Sequence, residues 1–194
     1  MRAQDVKKLR FSPPVTQAFI PKWVGMCANV KIRKMSQSDL PEVSRIQREC
    51  YSESILESVD SFSAKLSASP DFCFTAVQGE LVVGYVVSFP WVFGEIPDLD
   101  GAEYPVPPSA DSLCIHDMAV TPTVRKVGAA KHMLNTVLAS AKHRGYKRIF
   151  LVAIQGASSY WMRHGFKVVH AGESIKRGLS AYGQDAVFMA KTED

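Results

Sequence analysis

Between Leu66 and Val124 the chain has no lysine and no arginine, and between Arg125 and Gly172 it has no aspartate and no glutamate. The first stretch carries Asp71, Glu80, Glu95, Asp98, Asp100, Glu103, Asp111 and Asp117. The second carries Arg125, Lys126, Lys131, Lys142, Arg144, Lys147, Arg148, Arg163 and Lys167. A nucleic-acid binder is expected to interleave basic residues with aromatics over one face, so a net charge of +4 split in this way argues against that class. The split fits an enzyme that joins an anionic partner to a cationic one; two ordinarily solvated faces are the plain alternative. No apolar run approaches the roughly 20 residues of a membrane span, and a soluble protein is expected. The four cysteines, Cys27, Cys50, Cys73 and Cys114, lack the paired spacing of a metal site and read as reduced core residues of an intracellular protein. No metal is expected. A G-x-G-x-x-G run is missing, as is a glycine-rich loop ending in Lys-Ser or Lys-Thr, which removes the dinucleotide and P-loop motifs.

What is present is concentrated between Ser112 and Phe166. The run Leu113-Cys114-Ile115-His116-Asp117-Met118-Ala119-Val120 has the length and composition of a strand buried on both faces. After a turn at Thr121-Pro122, apolar residues at Ala130, Met133, Leu134, Val137, Leu138 and Ala141 follow a helical period, and Gly145 ends it as a C′ residue. A second buried strand covers 149–154. Strand, turn, helix and strand in this order predict two parallel neighbours with the helix crossing one face. The first N–H groups of that helix lack intrahelical partners and carry the positive end of its dipole. With Gly128, Ala129 and Ala130 small, and Arg125, Lys126 and Lys131 charged, the turn is suited to a diphosphate.

Arg125-x-x-Gly128-x-Ala130, preceded by His116-Asp117-Met118-Ala119-Val120, resembles the acyl-CoA-binding core of the GNAT superfamily of N-acetyltransferases. Residues 157–166, Ala-Ser-Ser-Tyr-Trp-Met-Arg-His-Gly-Phe, resemble that family's A-x-x-F-Y-x-x-x-G-F signature. The resemblance implies an α/β (α+β) fold: a mixed, mostly antiparallel sheet of about six to seven strands flanked by helices, with splayed central parallel strands. It implies acetyl-CoA as cosubstrate. Backbone groups of Met118, Ala119 and Val120 would pair with the pantetheine arm, and Arg125, Lys126, Val127, Gly128, Ala129, Ala130 and Lys131 would wrap the diphosphate. Gln155 and Trp161 would complete the cofactor site. The implied partner is a small-molecule or protein amine, with no nucleic acid and no membrane, in a monomer or homodimer.

The rest of the chain divides into a basic extension over residues 1–29 and a domain over 30–194. The extension lies on the domain or serves as a mitochondrial transit peptide; the cytoplasm is the expected location otherwise. Val30-Lys31-Ile32-Arg33 alternates as a half-exposed strand. Ser38 or Asp39 caps a helix with Pro41 in its first turn and Val43, Ile46, Gln47 and Cys50 facing inward. A second helix runs from about Ser61 to Ala68. By the resemblance these helices border the acceptor site, making Glu53, Glu57 and Asp60 possible substrate contacts, with exposed helix surface as the alternative. Strands over 72–77 and 81–87 form a hairpin turning at Gly79, and Gly84 permits close approach or a bulge. From Pro90 to Ser109 an acidic loop either walls the acceptor pocket, drawing in a protonated amine through Glu95, Asp98 and Asp100, or is merely solvated. Tyr182 and a last strand over 186–190 complete the sheet.

Acetyl transfer to an amine requires a base, donors for the carbonyl oxygen and an acid or other stabilisation for the leaving thiolate. His116, with an unperturbed pKa near 6.5, is the chosen base and Asp117 the runner-up; a packed histidine is the structural alternative. Strand alternation places the two on opposite faces. The Met118 N–H is the oxyanion candidate. Trp161 stands where the family carries its proton-donating tyrosine, and an indole cannot serve. Tyr160, although set to point elsewhere on the helix, and Tyr182 are the substitutes, or the thiolate leaves without a strict acid. The missing tyrosine keeps a non-catalytic acyl-CoA-binding or sensing module as the alternative function.

Overall fold

The structure, a computed structural model, describes residues 30–124, 128–170 and 172–192. The basic extension and Cys27 lie outside them. Seven strands, β1 (Lys31–Lys34), β2 (Phe74–Gln78), β3 (Leu81–Trp91), β4 (Ser112–Val120), β5 (Arg148–Ala153), β6 (Lys167–Val168) and β7 (Val187–Thr192), form one sheet in the order β1-β2-β3-β4-β5-β7-β6. Every pairing is antiparallel except β4 with β5. Five helices flank it: α1 (Leu40–Cys50), α2 (Val59–Ala68), α3 (Ala129–His143), α4 (Ser158–Arg163) and α5 (Glu173–Leu179). Among the described residues no helix is long and apolar enough to cross a membrane.

Each face of the sheet buries its own layer. On one, Met133, Leu134 and Val137 of α3 and Trp161 of α4 pack on Leu113, Ile115, Ile149 and Leu151. On the other, Val43 and Ile46 of α1 and Phe62 and Leu66 of α2 cover Tyr85, Val87, Phe89 and Cys114. The expected helix, from small residues after Gly128 to Gly145, is α3. Gly145 takes φ +83°, and the Gly145 and Tyr146 N–H groups donate to the carbonyls of Lys142 (3.1 Å) and Ala141 (2.9 Å), closing the helix end. Ser58 caps α2 by accepting from the Ser61 N–H at 3.1 Å. Asp39 stands at the start of α1 but turns its carboxylate back to the Ser36 N–H (2.8 Å) and the Arg33 guanidinium (2.6 and 2.7 Å). Cys73 and Cys114 are buried core residues, and burial pushes the Cys73 thiol up to about 12.

Two departures from the sequence reading have physical causes. β3 runs on to Trp91 through Pro90, where a loop was expected. Past the Val86–Phe74 pair the strand has, among the described residues, only β4 as a strand neighbour, and proline is tolerated where one flank of a strand is open. β6 and α5 were not anticipated, being too short to show a period. Gly84 does permit close approach: a Cβ there would lie 3.0 Å from the Ala119 carbonyl oxygen and 3.2 Å from Met133 Cε.

α5 seats against the loop after β3 through a glycine. A Cβ on Gly178 would fall 2.5 Å from Ile96 Cβ, an atom held close to the backbone. Gly178→Ala is expected to destabilise the fold by about 1–3 kcal/mol, as overpacking does, read as a lower urea midpoint at unchanged slope.

Candidate active site

β4 carries one residue more than its partner opposite His116. Val87 faces Asp117 and the next residue, Ser88, faces Ile115, so His116 is the extra residue of a β-bulge. The parallel pairing with β5 stops at the same place, after Ile115–Leu151. Beyond it the two strands part, and a cavity of about 700 Å³ opens between Met118 and Val120 on one side and Val152 and Ile154 on the other. Its walls come from both layers: Tyr51, Glu57 and His116 at one end, Gly128, Lys131 and Trp161 at the other.

The bulge overturns the expectation that His116 and Asp117 face opposite ways. His116 stacks among Phe89 (5.4 Å between centroids), Tyr104 (6.2 Å) and Tyr182 (6.4 Å), while Asp117 meets Tyr51 and Tyr85 in the same layer. His116 Nε2 lies 3.0 Å from Glu57 Oε1. The other Glu57 oxygen accepts from the Lys65 ammonium, the Ser61 hydroxyl (3.2 Å) and the Asp100 N–H (2.9 Å). Lys65 is 0 % exposed and lies 4.1 Å from the centroid of the Tyr104 ring, so an ion pair and a cation–π contact share its charge in the interior. Burial acts to raise the Glu57 carboxyl, but His116 and Lys65 outweigh it and hold it well below the usual carboxylate range. The Gln47 amide grips the Glu57 backbone at both ends, at 2.9 and 2.7 Å.

Asp117 is half-buried and held between the Tyr51 and Tyr85 hydroxyls, each at 2.6 Å. Burial raises its carboxyl despite those two donors. Both phenols donate to it, so each carboxylate oxygen already has a donor, whereas no described group other than Glu57 hydrogen-bonds to the His116 imidazole.

At the other end, α3 begins at the cavity wall. Gly128 takes φ +85°, and among the described residues no side chain caps the helix start. Ala129, Ala130 and Lys131 line the cleft with it. Arg125, Lys126 and Val127 lie outside the described residues. Of the three β4 residues expected to face a pantetheine arm, Met118 and Val120 turn to the gap, where the Val120 carbonyl accepts from the Cys50 thiol (3.4 Å) and the Met118 carbonyl, at 3.1 Å, shares the Tyr51 hydroxyl proton with Asp117. The Thr121 N–H donates to Val83 of β3, and by alternation Ala119 faces β3 as well. Gln155, at φ +50°, fixes the segment after α1: its amide donates to the Cys50 carbonyl (3.1 Å) and accepts from the Ser52 N–H (3.3 Å).

Tyr160 and Trp161 both reach the cleft wall, against the expectation that Tyr160 points away. The Tyr160 hydroxyl is buried without a hydrogen-bond partner among the described residues, and burial raises its pKa, so it stays protonated. Trp161 is 7 % exposed and packs at 5.3 Å on Phe166. Tyr182 lines the cleft too, but its hydroxyl donates to the Pro97 carbonyl at 2.7 Å.

Of the two readings of the acidic loop, the placement of its acids matches the solvated one. Glu95, Asp98 and Asp100 are exposed and do not line the cavity; Leu99 does. Asp100 accepts from the Ser58 N–H at 2.7 Å and so steadies the start of α2. The split charge is partly joined within the molecule, Arg144 pairing with Asp71 and Arg148 with Asp111. Glu57, one of the acids named for the acceptor side, is buried here rather than exposed. Lys65 escaped the sequence reading: a lysine on a short helix carries no mark of burial, and only its place on the inward stripe with Phe62 and Leu66 could have shown it.

The model of the Acetyltransferase (GNAT) family matches residues 40–166. Among solved structures, the GphF GNAT-like decarboxylase in complex with isobutyryl-CoA superposes with a TM-score of 0.68 at 16% identity, over 84% of this chain and 98% of that one. The PaiA N-acetyltransferase of Thermoplasma acidophilum in complex with coenzyme A gives 0.62 at 16%, over 85% and 99%. A GNAT family acetyltransferase from Brucella melitensis in complex with acetyl-CoA gives 0.56 at 18%, over 86% and 90%. Curated protein sequences give no match.

A carboxyl held below its ordinary value of 4.5 adds stability above that pH and loses it as the pH falls toward the folded value. Asp117, raised above 3.8, acts in the opposite sense. Glu57→Gln is therefore expected to flatten the fall in unfolding free energy between about pH 5 and pH 3, measured by urea titration at each pH.

Proposed function

The chain belongs to the acetyltransferase (GNAT) family, and from that premise we propose that it is an N-acetyltransferase moving an acetyl group from acetyl-CoA to a primary amine by direct attack in a ternary complex. One observation carries the reading: a single cleft joins the start of α3, which no described side chain caps, to the imidazole of His116 through the gap between β4 and β5. The first N–H groups of α3, which lack intrahelical partners, suit the diphosphate of CoA, with Lys131 beside them. The Met118 N–H, on the same side of its strand as its carbonyl, is available to the acyl oxygen.

The amine reaches the cleft as an ammonium and gives one proton to solvent before it can attack. Its lone pair then bonds to the thioester carbon, His116 removes the second proton from nitrogen, and the carbon–sulfur bond breaks to release CoA thiolate. Tyr160, protonated and unpartnered, is the donor that returns a proton to sulfur. Asp117 is the weaker base candidate because two phenols occupy it. Trp161, in place of a tyrosine, is the observation that favours the second reading, a non-catalytic acyl-CoA-binding module.

Calorimetry with acetyl-CoA and a thiol-release assay over a panel of amines separate the two. Binding with turnover of at least one amine is expected; binding with none supports the module. His116→Gln is expected to lower kcat by about a hundredfold or more while acetyl-CoA affinity holds, and Tyr160→Phe to lower kcat more mildly. An unchanged rate and pH profile in His116→Gln contradicts its role as base.

A further inference from the structure

We propose that Glu57 and Lys65 are positioning residues for His116, holding its imidazole as the Nε2–H form so that Nδ1 is the atom that takes the amine proton. The inference rests on the acetyltransferase reading for what Nδ1 does, and on geometry alone for which nitrogen carries hydrogen.

The geometry is a chain of three buried side chains. Lys65 ion-pairs with one oxygen of Glu57, and the other oxygen lies 3.0 Å from His116 Nε2. A carboxylate that already receives donors from Lys65, Ser61 and the Asp100 backbone is ionised, and an ionised carboxylate accepts only. The hydrogen between Glu57 and His116 therefore sits on Nε2, in the neutral ring and in the imidazolium alike, and the proton that comes and goes is on Nδ1. Among the described residues Nδ1 has no hydrogen-bond partner. The imidazole side chain is 1 % exposed, and the cleft is its approach.

Lys65 adds a second function, setting how strongly Glu57 attracts positive charge on His116. The charged and titratable groups around the ring are Glu57 before α2, Lys65 on α2, Asp117 on β4, Tyr104 in the loop after β3, and Tyr182 after α5. Lys65, paired with the same carboxylate, offsets part of its attraction for positive charge on the ring. Without it a full carboxylate faces the imidazole and favours its protonated form; without both, the buried ring is left to burial, which favours the neutral form.

Two measurements on the full chain test this. Nitrogen-15 histidine NMR, at a pH where the ring is neutral, is expected to show His116 Nε2 protonated and Nδ1 bare; the reverse assignment overturns the proposal whether or not the protein acetylates anything. The rate–pH profile with acetyl-CoA and a turned-over amine is then compared across variants. Lys65→Met is expected to move the acid limb of kcat/KM up by about one pH unit. The Glu57→Gln, Lys65→Met double variant, which leaves no lone charge buried, is expected to move it back below that of Lys65→Met and to lower kcat about tenfold or more at unchanged KM for acetyl-CoA. A merely structural role lowers the amount of folded enzyme and leaves the limb in place; limbs that coincide, or shift together, overturn the proposal. No turnover of any amine, with the tautomer as assigned, overturns the acetyltransferase reading and not the placement of the proton.

Discussion

The site depends on a failure of pairing. β4 and β5 are hydrogen-bonded neighbours up to Ile115 and Leu151 and separate beyond, leaving main-chain groups in the middle of a sheet with no strand to meet them. Buried polar backbone groups must find partners, so such a gap persists only where something else fills it. Here two side chains from the end of α1, Cys50 and Tyr51, take the carbonyls of Val120 and Met118, and the cleft takes the remaining space. The bulge at His116 sits at the branching point. It ends one register, starts another and turns two consecutive side chains into one layer.

Everything around the gap serves to hold its edges still. Gln155 ties the end of β5 to the end of α1, Gln47 fixes the backbone of Glu57, and Asp100 steadies the first turn of α2. The charged groups nearest the imidazole are interior ones, the Glu57 carboxylate receiving several donors and the Lys65 ammonium donating to Glu57 and Ser61, which is how a buried carboxylate and a buried ammonium coexist. A pair of this kind contributes little net stability compared with apolar residues of equal volume, so its presence beside the cleft accords with the positioning role proposed for it. The result is an imidazole held on one side by Glu57 and set in the wall of the cleft that also reaches the start of α3.

Much of this architecture was legible in the chain. The apolar run over 113–120, the small residues after Gly128 and the glycine at 145 each obey a local rule, and local rules survive in tertiary context when they agree with one another. The bulge was not legible: a single extra residue inside a continuous apolar strand leaves no trace in its periodicity, so the faces of His116 and Asp117 were assigned wrongly. Pro90 looked like the end of a strand because its tolerance depends on where β2 stops, a fact about a neighbour. The acidic loop drew attention by composition, yet it is Glu57 and Lys65, an acid and a base eight positions apart, that end up inside. Burial of a charged pair is decided by packing, and the sequence records only that both residues are present. The placement of Tyr160 and Trp161 side by side in the wall was hidden for the same reason, since neighbouring helix positions diverge unless a cleft wraps the helix end.

Amide chemical shifts on addition of acetyl-CoA test the central claim most directly. The account predicts that the N–H signals of Met118, Val120, Gly128, Ala129, Ala130 and Lys131 move together and saturably, while those of β1 stay in place. Shifts confined to other surfaces, or no shift at Met118 and Val120 with acetyl-CoA demonstrably bound, would contradict it.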